Sequence, residues 1–454
     1  MNDTPHALQW AIDGKLPGWF WDQTPTLKRI QIAAGLRKTS PDAVLHSVLV
    51  RIAALLPPDI RVDAGRGPTS LNYFAIGAAP SGYGKSVAWD IGTELVSHDA
   101  WQIPDFHGEL PIGSGEGCVE VFMGEEATET GAMTKGRNPE PEVKTTRAQT
   151  KHNALFYVDE GETLEVLLAR QGATLGTVLR TAWNGGTLGQ TNATAERTRY
   201  ARAGTYSMGL MISWQPTKMA PLFSSTTGGT PQRFMFCPAV NPDAPTGVRR
   251  GFIRPIEGLA QHVLNLPDQD RVLELPMSAM EESEAWHDAR NRGVPIDELD
   301  GHMMLHRAKA AALLALLDME AKISADHWDL AREMWEASHR MRSIIIGMVT
   351  DAAVAERVRS GTERAEVLEA TTGALESARV RATAVEVARR LALTPNKQLF
   401  NTTNGMWMRL AYRKWRKDVD PALVVEYGVE HGLFVDFRFQ TTDGVTPAVY
   451  LAAR

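Results

Sequence analysis

The pattern of apolar residues divides the chain into stretches of different character. Up to about residue 65 it is helical. Thr39-Ser40-Pro41-Asp42 has the composition of a helix start, AVLHSVLVRIAALL follows with apolar residues on nearly every face, and Pro57-Pro58 ends it. A helix of this kind is expected to brace the next domain. Between about 70 and 240 the apolar residues gather instead into short unbroken runs at 72–76, 154–158 (ALFYV), 206–214 (YSMGLMISW) and 234–237. Runs of that length suit strands of a parallel sheet covered on both faces, and 86–97 reads as a helix between them. The segment 124–150, GEEATETGAMTKGRNPEPEVKTTRAQT, has few large apolar residues and two prolines among charges, so a mobile surface insertion is expected there.

Beyond about 250 the helical period returns. Residues 300–317 are apolar and alanine-rich, and Ser324-Ala325-Asp326-His327 has the form of a cap for the helix carrying WDLAREMWEASHRMRSII. A charged helix over 351–390 is interrupted only by Gly361 and Gly373. The stretch LVVEYGVEHGLFVDFRF, with its turns, suits a two-stranded wing behind short helices, which predicts a winged helix-turn-helix. No fixed-period repeat is present.

Composition narrows the classes. With 454 residues and 43% hydrophobic side chains the chain can bury a large core and is expected to hold more than one domain. A net charge of -6 means that any nucleic-acid partner must meet a local basic surface. Cys118 and Cys237 alone make neither a zinc pattern nor a disulfide framework, which suits a reducing cytosol. The start, MNDTPHALQW, has no basic n-region or apolar h-region, and runs such as 310–317 are too short to span a bilayer. A soluble cytoplasmic protein without membrane association is expected.

Chemistry enters at residues 76–86, IGAAPSGYGKS. The loop Ala79, Pro80, Ser81, Gly82, Tyr83, Gly84, Lys85, Ser86 follows the phosphate-loop pattern, except that alanine stands at the first glycine position. Such a loop works by aiming successive backbone N–H groups and a helix start at phosphates. Gly82 and Gly84 supply the tight turn, Lys85 is suited to the β- and γ-phosphates, and Ser86 to magnesium. Alanine is the least costly replacement if its φ is negative, and Pro80 pre-sets the turn. The expected cofactors are therefore ATP and Mg2+.

Further along, LFYVDE ends an apolar run on two acids, as a metal site at a strand tip requires. Asp159 is expected to act on magnesium through Ser86 and water, and Glu160 to polarise the attacking water. A pair of this kind favours hydrolysis over transfer to a small acceptor. At the end of the YSMGLMISW run, Ser213 and Gln215 are both candidates for sensing the γ-phosphate. Charge on the transferring phosphoryl group calls for an arginine, often from a neighbouring subunit. Arg233 in GGTPQRFMF is the first candidate and Arg180 the second. Arg307, inside an apolar helix, is suited either to phosphate in cis or to an acid in the core.

APSGYGKS, the upstream SLNYFA, GSGEG at 113–117, LFYVDEGE, WNGG, ISWQP and RFMF together resemble a family of P-loop proteins from phages, prophages and integrative elements. Many of them are fused or adjacent to primase domains and regarded as helicase–primase components. HRAKAAALLALLDMEAKISADHWDLAREMWEAS resembles the helical lid of minichromosome-maintenance-type AAA+ motors. The resemblance implies an α/β P-loop NTPase core, AAA+ or RecA-like with a parallel sheet, over 66–250. A helical region precedes it over 1–65, a helical lid follows over 251–350, and a linker with a winged-helix-like domain over 351–454. No primase domain precedes the core, so a primase is expected only as a separate partner.

MWMRLAYRKWRKD, at 406–418, places Arg409, Arg413, Lys414, Arg416 and Lys417 among aromatic residues, and on a helix three of these arginines share a face. Such a face gives salt-dependent, largely sequence-independent affinity for phosphates. A weaker candidate for DNA contact is the 124–150 insertion. The expected function is an ATP-hydrolysing homo-oligomeric DNA motor, a hexameric ring acting on single-stranded or forked DNA as the replicative helicase of a mobile element. The alternatives are an ATP-switched replication initiator or helicase loader, and a defence or regulatory ATPase that does not translocate.

Overall fold

The computed structural model describes the chain except for residues 1–7, 105, 134–140, 170–172, 191–198, 224–228, 248–250, 393–399, 402–418, 442–443 and 452–454. It is a mixed α/β protein of two compact units, Met1–Ala352 and Ala353–Arg454.

The first unit opens with α1 (Gln9–Asp13), α2 (Pro25–Leu36) and α3 (Pro41–Leu55). The expected start of α3 is present: Ser40 is the N-cap, its hydroxyl accepts from the Ala43 N–H at 3.4 Å, and Pro41 occupies the first turn. Every residue of α3 from Asp42 to Leu55 is buried, which explains why its apolar residues occupy nearly every face. Two short strands follow, β1 (Arg61–Asp63) and β2 (Pro68–Ser70), and then the fully buried β3 (Tyr73–Ala78), which feeds α4 (Lys85–Leu95).

After α5 (Gly115–Glu120) the segment expected as a mobile insertion folds instead as a hairpin of β4 (Met123–Met133) and β5 (Pro141–Gln149). Its register opposes Glu125 to Arg147 and Glu126 to Thr146. The ladder is not announced by alternating apolar residues, because polar residues and threonines supply its cross-strand pairs. Next come β6 (Asn153–Val158), α6 (Gly161–Ala169), α7 (Leu175–Trp183), a small hairpin of β7 (Leu188–Gln190) and β8 (Arg199–Ala201), then β9 (Ser207–Trp214) and β10 (Met235–Pro238).

Strands β3, β6, β9 and β10 are the four apolar runs of the sequence, and they form one parallel sheet in the order β10-β3-β9-β6. Leu110 adds a parallel bridge to Phe156 beyond β6. Alternate residues face two separate cores. Tyr73, Ala75, Leu155, Met211, Met235 and Cys237 join α3 and α4 on one side. Phe74, Ile76, Phe156, Leu210, Ile212 and Phe236 join α5, α6 and α7 on the other. A sheet covered on both faces needs apolar residues at every position, hence runs without alternation. Gly209 lets α3 approach: a β-carbon there would lie 2.2 Å from the Val50 carbonyl oxygen.

The rest of the unit comprises α8 (Leu259–Leu264), β11 (Val272–Glu274), α9 (Met277–Asn291), α10 (Met303–Leu317) and α11 (Ala325–Ala392), which runs into the second unit. Ser324 caps α11, accepting from the His327 N–H at 3.2 Å. These elements are woven into the earlier ones. Strand β11 pairs in parallel with β1. Lys309 of α10 is fully buried, and its ammonium donates to the carbonyls of Asn72, at 3.0 Å, and Trp183 while lying 4.0 Å from the centre of the Trp183 ring. Burial pulls its pKa well below the usual lysine range.

In the second unit β12 (Phe400–Asn401), α12 (Pro421–Glu430), β13 (Phe434–Thr441) and β14 (Gly444–Leu451) follow α11. Strands β13 and β14 form an antiparallel hairpin, and β12 pairs with β14. Of the apolar run expected as a two-stranded wing, the first part, up to Glu430, is helix, and the antiparallel hairpin starts only at Phe434. The basic segment with Arg409, Arg413, Lys414, Arg416 and Lys417 lies outside the described residues.

Candidate nucleotide site

Strand β3 delivers the loop to the C-terminal edge of the sheet. Ala79 is fully buried, and its N–H donates to the Trp214 carbonyl at 3.1 Å. Its φ is not positive, so the position asks for no glycine. The positive φ values fall instead at Gly82 (81°) and Gly84 (71°). Gly84 is the N-cap of α4 and brings no side-chain acceptor, and the first turn of the helix carries no acid. The first N–H groups of α4, with Lys85 and an exposed Ser86, therefore form an anion-attracting end. Pro80 is half-buried, while Ser81 and Tyr83 are exposed.

Strand β9 lies beside β3, with Gly77 opposite Ser213 and Ala78 opposite Trp214. Strand β6 lies beyond β9, with Val158 opposite Ile212. Asp159 and Glu160 follow directly, both exposed at the same edge. The loop and the acid pair are thus separated by one intervening strand, roughly 10 Å at ordinary strand spacing. Gly161 begins the next helix because a β-carbon there would meet the Trp214 ring at 2.2 Å. Gln215 is half-buried and starts a short turn whose Lys218 pairs with Glu162 at 3.2 Å.

Tyr157 links these parts, and it was missed from the sequence. Its hydroxyl donates to Asp159 at 2.9 Å and bonds the buried Ser213 hydroxyl at 3.2 Å. Its ring stacks on Trp89 of α4, with centroids 4.4 Å apart and planes within 8°. The signal was the two-residue period of a strand, which puts Tyr157 on the face of Asp159. Trp89 in turn donates its indole N–H to Glu109. Burial and then Glu109 raise the Asp90 pKa, with Glu94 and Asp159 adding to the effect and Arg37 opposing it. The edge beside α4 is therefore acidic, whereas the loop of residues 79–86 carries no acid.

Among the described residues no group of three or more His, Cys, Asp or Glu is placed to hold a metal ion. Ser86 and Asp159 offer two hard oxygen donors across the intervening strand. That set suits magnesium, which retains waters and is completed by phosphate oxygens.

The arginines separate. Arg233 lies just before β10, at the N-terminal edge of the sheet and so opposite the loop. Its guanidinium donates to the Gly229 carbonyl, and burial followed by neighbouring Arg180 brings its pKa down to about 10. Arg180 donates to the hydroxyls of Thr230 and Thr177, each at 3.0 Å. Arg307 takes the second of its two expected roles: it pairs with Glu282 and lies 4.0 Å from the centre of the Trp328 ring. Trp328 donates to the same carboxylate at 2.8 Å.

A groove of about 480 Å³ lies between the β4–β5 hairpin and the start of β9, lined by Arg147, Arg202, His152, Tyr200 and Gln149 among others. The Gln149 amide joins its walls, donating to the Thr205 carbonyl at 3.1 Å and accepting from the Arg202 N–H at 3.2 Å. Among the described residues no helix is long and apolar enough to cross a membrane.

No family model matches the chain, and no curated protein matches it.

Proposed function

We propose that the chain is an ATP-hydrolysing, oligomeric DNA motor with a P-loop nucleotide site, and that it serves as the replicative helicase of a mobile element. One observation carries the ATPase reading: an open helix N-terminus bearing Lys85 and Ser86 shares a sheet edge with the Asp159–Glu160 pair, and Ser213 stands on the strand between. A metabolic binding loop has no need of a second acid beside the metal carboxylate.

Bound magnesium–ATP supplies the reactive γ-phosphoryl group and neutralises charge on its oxygens. The loop amides and the α4 N-terminus bind the phosphates, and Lys85 reaches toward the β- and γ-oxygens. Ser86 would hold the ion directly and Asp159 would hold it through water. Glu160 orients a water for in-line attack and takes its proton. Ser213 donates to the γ-phosphate, with Gln215 beside it. Arg233, at the opposite edge, is too far away to serve its own loop, so its part is to complete the site of a neighbouring subunit. This favours an assembly, a hexameric ring. The groove with Arg147, Arg202 and Tyr200 supports contact with single-stranded DNA through phosphates and a stacked base. Residues 251–350 act as the helical lid and the C-terminal unit as a winged module.

The test is steady-state ATP hydrolysis with and without single-stranded DNA, for the wild type, K85A and E160Q, with mass measured in solution. Stimulation of several-fold in a ring-sized assembly, lost in both variants, is expected. Hydrolysis indifferent to DNA would refute the motor and leave a regulatory ATPase. ATP-controlled DNA binding without strand separation would indicate an initiator or loader.

A further inference from the structure

We propose that Tyr157 is a positioning residue that couples the γ-phosphate contact at Ser213 to the metal contact at Asp159, through one shared hydroxyl. The inference rests on the nucleotide reading of this edge and adds to it a residue that touches neither phosphate nor metal.

A phenol has one proton to give, and a carboxylate only accepts. The bond from Tyr157 to Asp159, at 2.9 Å, therefore uses the phenol proton. The contact of 3.2 Å to Ser213 must then run the other way, with the serine hydroxyl donating to the phenol oxygen. In this state Ser213 has no proton left for an anion. The three groups form a directed chain, Ser213 to Tyr157 to Asp159, in which each bond strengthens the next.

A phosphate oxygen arriving at the edge is a stronger acceptor than a neutral phenol and draws the Ser213 proton to itself. The phenol then loses its donor, its bond to Asp159 weakens, and the carboxylate is released toward the metal's water. Geometry keeps the phenol in place during this exchange. The ring is held flat against Trp89, which belongs to the helix whose first turn carries Lys85 and Ser86.

Tyr157→Phe keeps the stack and removes only the oxygen. Because Asp159 is then free before any γ-phosphate arrives, the expected result is a several-fold fall in the magnesium concentration giving half-maximal binding of ADP, bringing it to the value for ATP, with metal-free ATP affinity within about twofold of wild type. S213A is expected to weaken ATP binding in both backgrounds through its own phosphate contact, and to change the gap in magnesium requirement between ADP and ATP only where Tyr157 is present. Thermal unfolding of each variant within a few degrees of wild type separates this from a loss of fold. Y157F keeping the wild-type gap in magnesium requirement between ADP and ATP, or S213A changing that gap as much in Y157F as in the wild type, would overturn the coupling while leaving the ATPase intact. Wild-type protein that neither binds nor hydrolyses ATP would overturn both.

Discussion

Replacing Ala79 by glycine restores the usual phosphate-loop pattern, and the structure predicts that the change does harm. Ala79 is fully buried in the core shared with α3 and α4, so removing its methyl group forfeits about 0.8 kcal/mol of burial. Its φ lies in the range open to any residue, so glycine gains nothing in the fold while the unfolded chain gains freedom, at a further cost of about 0.4–1 kcal/mol. The sum is a destabilisation of roughly 1.5 kcal/mol. The N–H to the Trp214 carbonyl is a backbone bond and survives the substitution. Urea unfolding read by tryptophan fluorescence measures the stability, and titration with a fluorescent ATP analogue measures the site. The expected outcome is a lower midpoint at an unchanged slope, with nucleotide affinity within about twofold. A tenfold gain in affinity, about 1.4 kcal/mol, would refute the reasoning, because it would mean that the methyl group obstructs the loop.

Three further outcomes follow from groups already described or adjoining them. Asp42, buried in the first turn of α3, accepts from the Leu16 N–H at 2.7 Å, and burial pushes its pKa up to about 7. A raised carboxyl pKa stabilises the fold fully below the unfolded value of 3.8, and that stability is lost as pH rises through about 7. D42N should therefore gain on wild type between pH 4 and 8, by on the order of 4 kcal/mol in unfolding free energy; a gap that stays constant with pH would contradict the assignment. Glu282→Ala strands the buried Arg307 and is expected to cost about 2 kcal/mol, discounted because Glu282 is partly exposed; chemical denaturation checks it, and a cost below about 0.5 kcal/mol would show the pair to be dispensable. R233A and K85A subunits, each inactive alone, should recover hydrolysis on mixing if Arg233 completes a neighbour's site; mixtures that stay inactive at every ratio would rule that out.

Much of this edge was legible in the sequence because strands buried on both faces leave unbroken apolar runs, and the residues that end them have little freedom over where they emerge. ALFYV places Asp159 and YSMGLMISW places Ser213 by strand length alone. Strand order was not legible. That β9 lies between β3 and β6 depends on crossovers through helices, and no local pattern records those. The β4–β5 hairpin was misread because its pairing is carried by the backbone and by polar cross-strand neighbours. Arg307 was recognisable as an oddity, but its partner Glu282 lies in another helix, and no spacing rule links the two. Tyr157 was hidden among apolar residues, where a tyrosine usually serves as packing.

The Lys309 ammonium ties α10 to Asn72, just before β3, across a sequence separation of 237 residues. A growing chain adds about 5–20 residues each second. The ribosome thus needs roughly 12 to 50 seconds to get from the asparagine to the lysine that seals it. Throughout that interval the Asn72 carbonyl awaits its donor, joined by the Trp183 carbonyl once the chain reaches it. The end of the sheet opposite the Gly82–Gly84 loop is begun early and closed late, so synthesis includes a window in which its buried carbonyls lack their donor.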